Sequence, residues 1–553
     1  MSTIVEALAH HAENNPGKLF ININKPQGSQ CLNFGDFYSK SLKFAGFLKS
    51  KGVGRGDIVL IVHPMDTLLH IAFAGSMMIG AIPSLMPAEN AKQDKQKFYD
   101  NHRALYSLIA PSMIVASAEI RDQYRENLPD YGDITHAVDP DDPALDGVAL
   151  TEPEAVSGSD VAFIQHSSGT TANKKGVMLS HEKVLAQVAI YQDALDMDDN
   201  SVIATWLPLY HDMGLITNFM LPLIRGLTVH AMDNFEWVMR PVKLFDMIER
   251  EKANYCWLPN FAFSHLAQRA RDWKHDLSSM KYWVNCSEVC RPETHAQFVK
   301  AFADNGVTEE SLKVCYAMAE TVFAVSQTPL KTAARSLDLD QEGLDRREVV
   351  PATPGKPTAR VFSCGVPLSG YTVTIVDDRR ENTLPEGRIG EIAIKGPSTF
   401  EGYYKRPELN ENAIVDGVYF SRDMGFMKDG ELYVLGRKDD MLILYGRNFF
   451  AQEIEVILND TAGIKPGRCG AFGVYSERMG TNELYALAEL TDDGDAETAE
   501  RDARARISEQ LGVGLRRLFV VEKGALHKST SGKQNRHLNR LILDKFLQGE
   551  NIA

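Results

Sequence analysis

Two periodicities alternate along the chain. Phe37, Phe44, Ala45 and Leu48 fall on one helical face, Lys51-Gly52 supplies a stop, and Ile58–Val62 follows as an unbroken apolar run of strand length. An amphipathic helix followed by a fully apolar strand is the grammar of a parallel α/β sheet, whose strands are covered on both faces. A second apolar run, residues 161–164, breaks into small hydroxylated residues, passes two lysines and resumes as Val177, Met178 and Leu179, which predicts strand, polar loop, strand. Ser180 then stands where a helix needs a cap, ahead of Val184, Val188, Tyr191 and Leu195 on one face. Residues 222–259 continue with strand and helix. Glycine and proline punctuation marks short strands at 384–398, 401–408 and 419–426. Strands at 470–474 and 484–490, a helix around 499–511 and a final helix close the chain.

At 553 residues, with 44% apolar and 24% charged content, the chain is long enough for several cores and more than one domain. A formal net charge of −15 argues against nucleic acid or an anionic membrane surface as a general partner. Residues 515–545 run against this balance, with Arg516, Arg517, Lys523, Lys528, Lys533, Arg536, Arg540 and Lys545 against Glu522 and Asp544. That excess suits either an anionic substrate or a solvated basic face. Seven cysteines without a CxxC pair fit reduced thiols in a cytoplasmic protein. The N-terminus shows no basic region leading into an apolar core, so no secretory signal is expected. The longest uncharged stretch, residues 71–87, is short for a bilayer and carries two prolines; it reads as a buried helix and turn, with no membrane span.

The chemistry concentrates first in the loop after residue 164. Ser167, Ser168, Thr170, Thr171 and backbone N–H groups surround one small volume, Gly169 allows close approach, and Lys175 adds a charge. Such a loop suits a polyphosphate, although its spacing is not that of a P-loop. Taken alone it reads better as a hydroxyl-rich surface loop.

The string HSSGTTANKKG (166–176) resembles the phosphate-binding signature of the adenylate-forming superfamily, which includes acyl-CoA synthetases, peptide-synthetase adenylation domains and fatty acyl-AMP ligases. His166, Ala172 and Lys174 depart from the usual aromatic, Gly and Pro, while Lys175 and Gly176 keep register. Further segments resemble the superfamily in the same order. TWLPLYHDMGL (205–215), PNFAF (259–263) and NCSEV (285–289) are closest to fatty acyl-AMP ligases, YAMAET (316–321) and YFSRDMGF (419–426) follow, and GRKDD (436–440) and HKSTSGKQNR (527–536) complete the set.

The resemblance implies a large N-terminal domain of α/β subdomains (1–436), a hinge (437–440) and a small mobile α+β C-terminal domain (441–553). It implies an enzyme using ATP and Mg²⁺ to activate a carboxylic acid. Ser167, Ser168, Gly169, Thr170, Thr171 and Lys175 would hold phosphates. Asn285, Cys286, Ser287, Glu288, Tyr316 and Ala317 would border the adenine, with Tyr316 stacked on it. Asp423 would accept both ribose hydroxyls, as a carboxylate with two acceptor oxygens can, and Arg437 would contact ribose or phosphate. Glu320 would bind Mg²⁺.

His166, His211, Asp212, Met213, Asn260 and Phe261 would line the acyl pocket, with His211 as its gate. Asp439 would be the hinge residue and Lys533 the catalytic lysine. Arg422 stands where the superfamily has a small residue.

Residues 330–362 resemble the insertion that, in fatty acyl-AMP ligases, restrains the small domain and directs the acyl group to an acyl carrier protein instead of CoA. The same segment also reads as a charged surface loop. An acyl-CoA synthetase, an amino-acid-activating enzyme with Asp212 holding the amine, and a degenerate nucleotide-binding module are the alternative readings.

Overall fold

The computed structural model describes residues 1–26, 28–89, 95–166, 175–270, 273–356, 358–445, 447–528 and 534–549, leaving aside the Lys97 side chain. A nine-stranded sheet forms the centre. Its parallel part runs, in spatial order, through Leu19–Lys25, Thr228–Met232, Val202–Thr205, Tyr255–Pro259, Tyr282–Cys286 and Leu312–Ala317. Antiparallel strands close both edges. Residues Tyr255 to Leu258 are all buried, as expected of a strand covered on both faces.

A second, four-stranded parallel sheet is centred on Ile58–Val62. Alternate side chains of that strand serve different cores, because successive side chains point to opposite faces. Val59 and Ile61 join the main core. Ile58, Leu60 and Val62 join a cluster with Phe98, Tyr106 and Tyr124. The expected buried helix and turn at 71–87 is in fact the helix Thr67–Met77, capped by the Asp66 side chain on the Leu69 N–H (3.1 Å), followed by the strand Ile82–Leu85. Pairing of Ile82 to Ile58 supplies the backbone bonds that turn this apolar tail into a strand.

The expected strand-loop-strand is the hairpin Val161–His166 and Gly176–Ser180. The helix after it, His181–Ala194, begins at Ser180, but no side-chain hydrogen bond caps it. Glu401 instead accepts the Ser180 N–H at 3.1 Å.

From Thr372 the chain builds an antiparallel sheet of Thr372–Val376, Gly390–Lys395, Val418–Lys428 and Glu431–Arg437. Beyond Asp440 a separate core takes over. Leu484, Ala486 and Ala488 of the strand Thr481–Leu490 pack with Ile454, Ala503 and Ile507, while Leu487 faces Phe519 and Leu543 on the other side. These two layers contain residues from Leu442 onward only. Among the described residues no helix is long and apolar enough to cross a membrane.

Candidate active site

The site residues lie at the carboxyl ends of neighbouring parallel strands, where open α/β sheets form their ligand crevice. Asn260 follows the strand Tyr255–Pro259, Cys286 ends Tyr282–Cys286, and Tyr316 and Ala317 end Leu312–Ala317. The segment after Val202–Thr205 leads to His211, which opens the short helix Asp212–Leu215. One π turn, Ile216–Met220, follows, then Leu221–Arg225. Gly214 is required there, since a Cβ would lie 2.3 Å from the Pro208 carbonyl oxygen.

Two chains of contact meet in this crevice. In the first, the Tyr316 hydroxyl donates to Asp423 Oδ2 at 2.6 Å, and Arg437 Nε stands 3.4 Å from Asp423 Oδ1. Register explains the pair, for Asp423 and Arg437 are directly opposite on adjacent antiparallel strands. Burial and the neighbouring Asp423 charge push the Tyr316 hydroxyl well above its ordinary value, so it remains a donor. Asp423 in turn raises the Arg437 guanidinium. Glu320 accepts from the Tyr403 hydroxyl at 2.8 Å, and Lys175 Nζ lies 4.7 Å from the centre of the Tyr403 ring. Burial lowers the Lys175 pKa, and the Glu320 charge offsets part of that.

The second chain concerns the residues expected to line the acyl pocket. Asn285, fully buried, donates to Asn260 Oδ1 at 3.0 Å, and Glu288 accepts the Phe261 N–H at 2.6 Å at the start of the helix Asn260–Arg269. Cys286 Sγ contacts Met213 Sδ at 3.0 Å and Ser287 Oγ reaches the same sulfur at 3.6 Å. These contacts join the segment expected to border adenine to the expected acyl wall. His166 is buried at the end of its strand, and Gln165 donates to the Tyr210 carbonyl at 2.9 Å. Trp206 and Trp237 stack at 3.8 Å, with Phe261 edge-on to both.

Strain collects at the same place. Ser287, Val322 and Arg422 are non-glycine residues at φ +72°, +65° and +61°. For a β-branched residue such as Val322 this is an outlier, and it immediately follows the turn Ala319–Thr321 that presents Glu320.

The structure thus brings Lys175, Glu320, Tyr316, Asp423 and Arg437 together, and separately Met213, Asn260, Phe261, Asn285, Cys286, Ser287 and Glu288. Ser167, Ser168, Gly169, Thr170, Thr171 and Lys533 lie outside the described residues. Sequence reasoning missed Tyr403, which links Glu320 to Lys175; its signal was the aromatic pair inside the polar string EGYYKRPE. It missed Trp237 as well. A half-buried carboxylate beside a lysine fits Mg²⁺, which takes one or two protein carboxylates and keeps its waters and the substrate phosphates.

The AMP-binding enzyme family matches residues 8–404. A putative acyl-CoA synthetase of Caulobacter vibrioides is 28% identical over 97% of this chain and 94% of its own. The medium-chain-fatty-acid acyl-carrier-protein ligase JamA of Moorena producens is 25% identical over 99% and 95%. One of the solved fatty acyl-adenylate ligases from E. coli and L. pneumophila superposes with a TM-score of 0.90 at 22% identity, covering 99% of each chain. The chain belongs to the AMP-binding enzyme family. Its fold is that of the adenylate-forming ligases, and the expectation of an acid-adenylating enzyme most similar to fatty acyl-AMP ligases is met.

Proposed function

We propose that the protein activates a fatty acid as its acyl-adenylate and passes the acyl group to the phosphopantetheine thiol of an acyl carrier protein. The carrying observation is the run Tyr316, Asp423, Arg437 beside Glu320, Tyr403 and Lys175: an acceptor for a ribose diol next to a cation and a carboxylate suited to a metal-bound polyphosphate. In the first step a substrate carboxylate oxygen bonds to the α-phosphorus of ATP as the bond to the β-phosphate oxygen breaks and pyrophosphate leaves. Both reactants are anions, so the protein's tasks are alignment and charge neutralisation. Lys533 would bridge carboxylate and α-phosphate, Lys175 with Thr170 and Thr171 would hold the outer phosphates, and Asp423 would fix the ribose. Glu320 would hold Mg²⁺, which when bound neutralises phosphate charge. In the second step the carrier thiol attacks the acyl carbon, AMP leaves, and the thiol proton goes to solvent.

The choice of carrier over CoA is supported by residues 330–362. They form a two-stranded ribbon, Ser336–Asp340 with Thr358–Phe362, carrying the helix Gln341–Asp345. Asp345 Oδ2 accepts from Arg447 Nε at 2.6 Å, and its carbonyl accepts from the Asn448 side chain at 3.0 Å. The segment therefore grips the first hairpin of the C-terminal body.

The test combines ATP, Mg²⁺ and fatty acids from short to long, with products resolved by mass, alone and then with CoA or a carrier protein bearing phosphopantetheine. Persistence of acyl-adenylate with CoA and its loss to the carrier is the expected result; ready acyl-CoA formation makes the enzyme a synthetase. Lys533→Ala is expected to slow adenylation by at least the roughly 10² to 10³ of losing one preorganised donor. Near-normal turnover would remove that residue from the mechanism.

A further inference from the structure

Four consecutive residues join the two bodies, and each is held by a named partner. Arg437 pairs with Asp423. Lys438 Nζ lies 3.1 Å from Asp378 and 3.6 Å from Glu391. Asp439 is gripped by both arms of Arg422, with Nε on Oδ2 at 3.0 Å and Nη2 on Oδ1. Asp440 faces the other way, accepting from Arg536 Nε at 2.7 Å and from Gln452 at 2.6 Å. Arg536 in turn holds Glu455 through Nη1 and Nη2, at 2.5 and 3.0 Å. The side-chain partners of residues 437–439 belong to the large body and those of Asp440 to the small one, while the Met441 N–H of the small body reaches back to the Lys438 carbonyl. The change of allegiance falls at the bond between Asp439 and Asp440.

Arg422 is the unexpected member of this set. It occupies a left-handed backbone position, φ +61°, that glycine fills at no cost and an L-residue rarely adopts. Its backbone N–H is held by Glu391 Oε1 at 3.2 Å, and its side chain reaches across to the joint. A strained position persists only where its surroundings over-determine it, and here the strain delivers a planar two-pronged donor to the one carboxylate that ends the large body. A bidentate fork fixes orientation as well as distance, which a lysine could not do.

We propose that Arg422 is a clamp on the joint: it fixes Asp439 to the large body, so that the small body turns about the Asp439–Asp440 bond while the clamp is closed and swings fully only when it opens. Arg422 acts through Asp439 and is a positioning residue. The proposal rests on the two-step reading for its kinetic consequence, though not for its structural one. Both side chains are about half exposed, 50% and 57%, so the clamp is weak enough to open in each cycle and is weakened further by salt.

The experiment measures hydrogen exchange at the amides of residues 438–441 in the full-length protein without substrate, for wild type, Arg422→Gly, Arg422→Lys, Asp439→Asn and the Arg422→Gly/Asp439→Asn double variant. Glycine at this position relieves the backbone strain, so Arg422→Gly is expected to fold. Its joint should exchange up to about fivefold faster, the upper end for an exposed pair. Arg422→Lys should fall between, and the double variant should match the single ones, because both remove the same contact. In 1 M salt, where the screening length is about 3 Å, wild type should approach Arg422→Gly. In single turnovers, adenylate formation by Arg422→Gly should stay within about twofold of wild type while transfer to the thiol changes by up to about fivefold. Unchanged exchange in Arg422→Gly, or additive effects in the double variant, would overturn the clamp. Failure of every acid to form an adenylate would sink the functional reading, and the exchange data would still decide the clamp.

Discussion

Asp423 shows how much one carboxylate can be asked to do. It accepts a phenolic hydrogen bond on one oxygen and faces a guanidinium with the other. Asp423→Asn keeps the shape and an acceptor oxygen but removes the charge. Hydrogen bonds to charged groups are worth about 1.5–3 kcal/mol, so ATP binding measured by calorimetry is expected to weaken about 10- to 100-fold. A change of less than twofold would take Asp423 out of the nucleotide site. The motifs YAMAET and YFSRDMGF made both residues legible as candidates. What they could not carry is that Tyr316 and Asp423, 107 positions apart, share a hydrogen bond, since only the fold brings the strand ends together. Tyr403 was hidden for a different reason. Its role depends on Glu320 and Lys175 meeting on either side of it, which the aromatic pair in EGYYKRPE does not by itself reveal.

At the scale of elements, amphipathic and apolar periods were enough for Ile58–Val62, the hairpin Val161–His166 with Gly176–Ser180 and the helix Ala496–Leu511. They failed where tertiary pairing overrides local pattern, as at Ile82–Leu85, or where a neighbour supplies the cap, as Glu401 does at Ser180. The ribbon of residues 336–362 was readable only by resemblance; its charged sequence gave no sign that one face would lie against Phe450 and Met424. Gly436 marks how closely these bodies approach, for a Cβ there would lie 2.7 Å from the Phe450 ring. Asp345→Ala should loosen the small body's hold on the ribbon, removing the Arg447 contact and leaving the Asn448 bond to the residue-345 carbonyl. Arg447 keeps the Gly512 carbonyl and the Phe449 ring as partners, so the fold should survive. Acyl-CoA formation is expected to rise about tenfold, the equivalent of one charge-assisted bond. Equal CoA turnover in variant and wild type would mean that the contact does not restrain the swing.

For the whole molecule, stability is expected to depend on Glu453, which lies where ribbon, large body and small body meet around a small cavity. Burial raises its carboxyl from an ordinary value of 4.5 to about 7, the Phe450 N–H lowers it in part, and the Asp345 charge adds to the rise. The folded protein therefore holds this proton after the unfolded chain has released it. Stability from this group is complete below about pH 4.5 and is lost as pH climbs toward 7. Glu453→Gln cannot titrate, so its melting temperature should gain steadily on wild type between pH 4.5 and 7. Parallel melting curves across that window would refute the assignment.

The single π turn at Ile216–Met220 carries a consequence for how this enzyme could diversify. A π turn holds one residue more than an α-helix needs, and here all five of its residues are buried. Deleting one would rotate the residues up to Gly226 by about 100° relative to those before the turn. If this segment lines the acyl pocket, as the resemblance to fatty acyl-AMP ligases implies, preference for one acid over another can drift by insertion and deletion as well as by substitution.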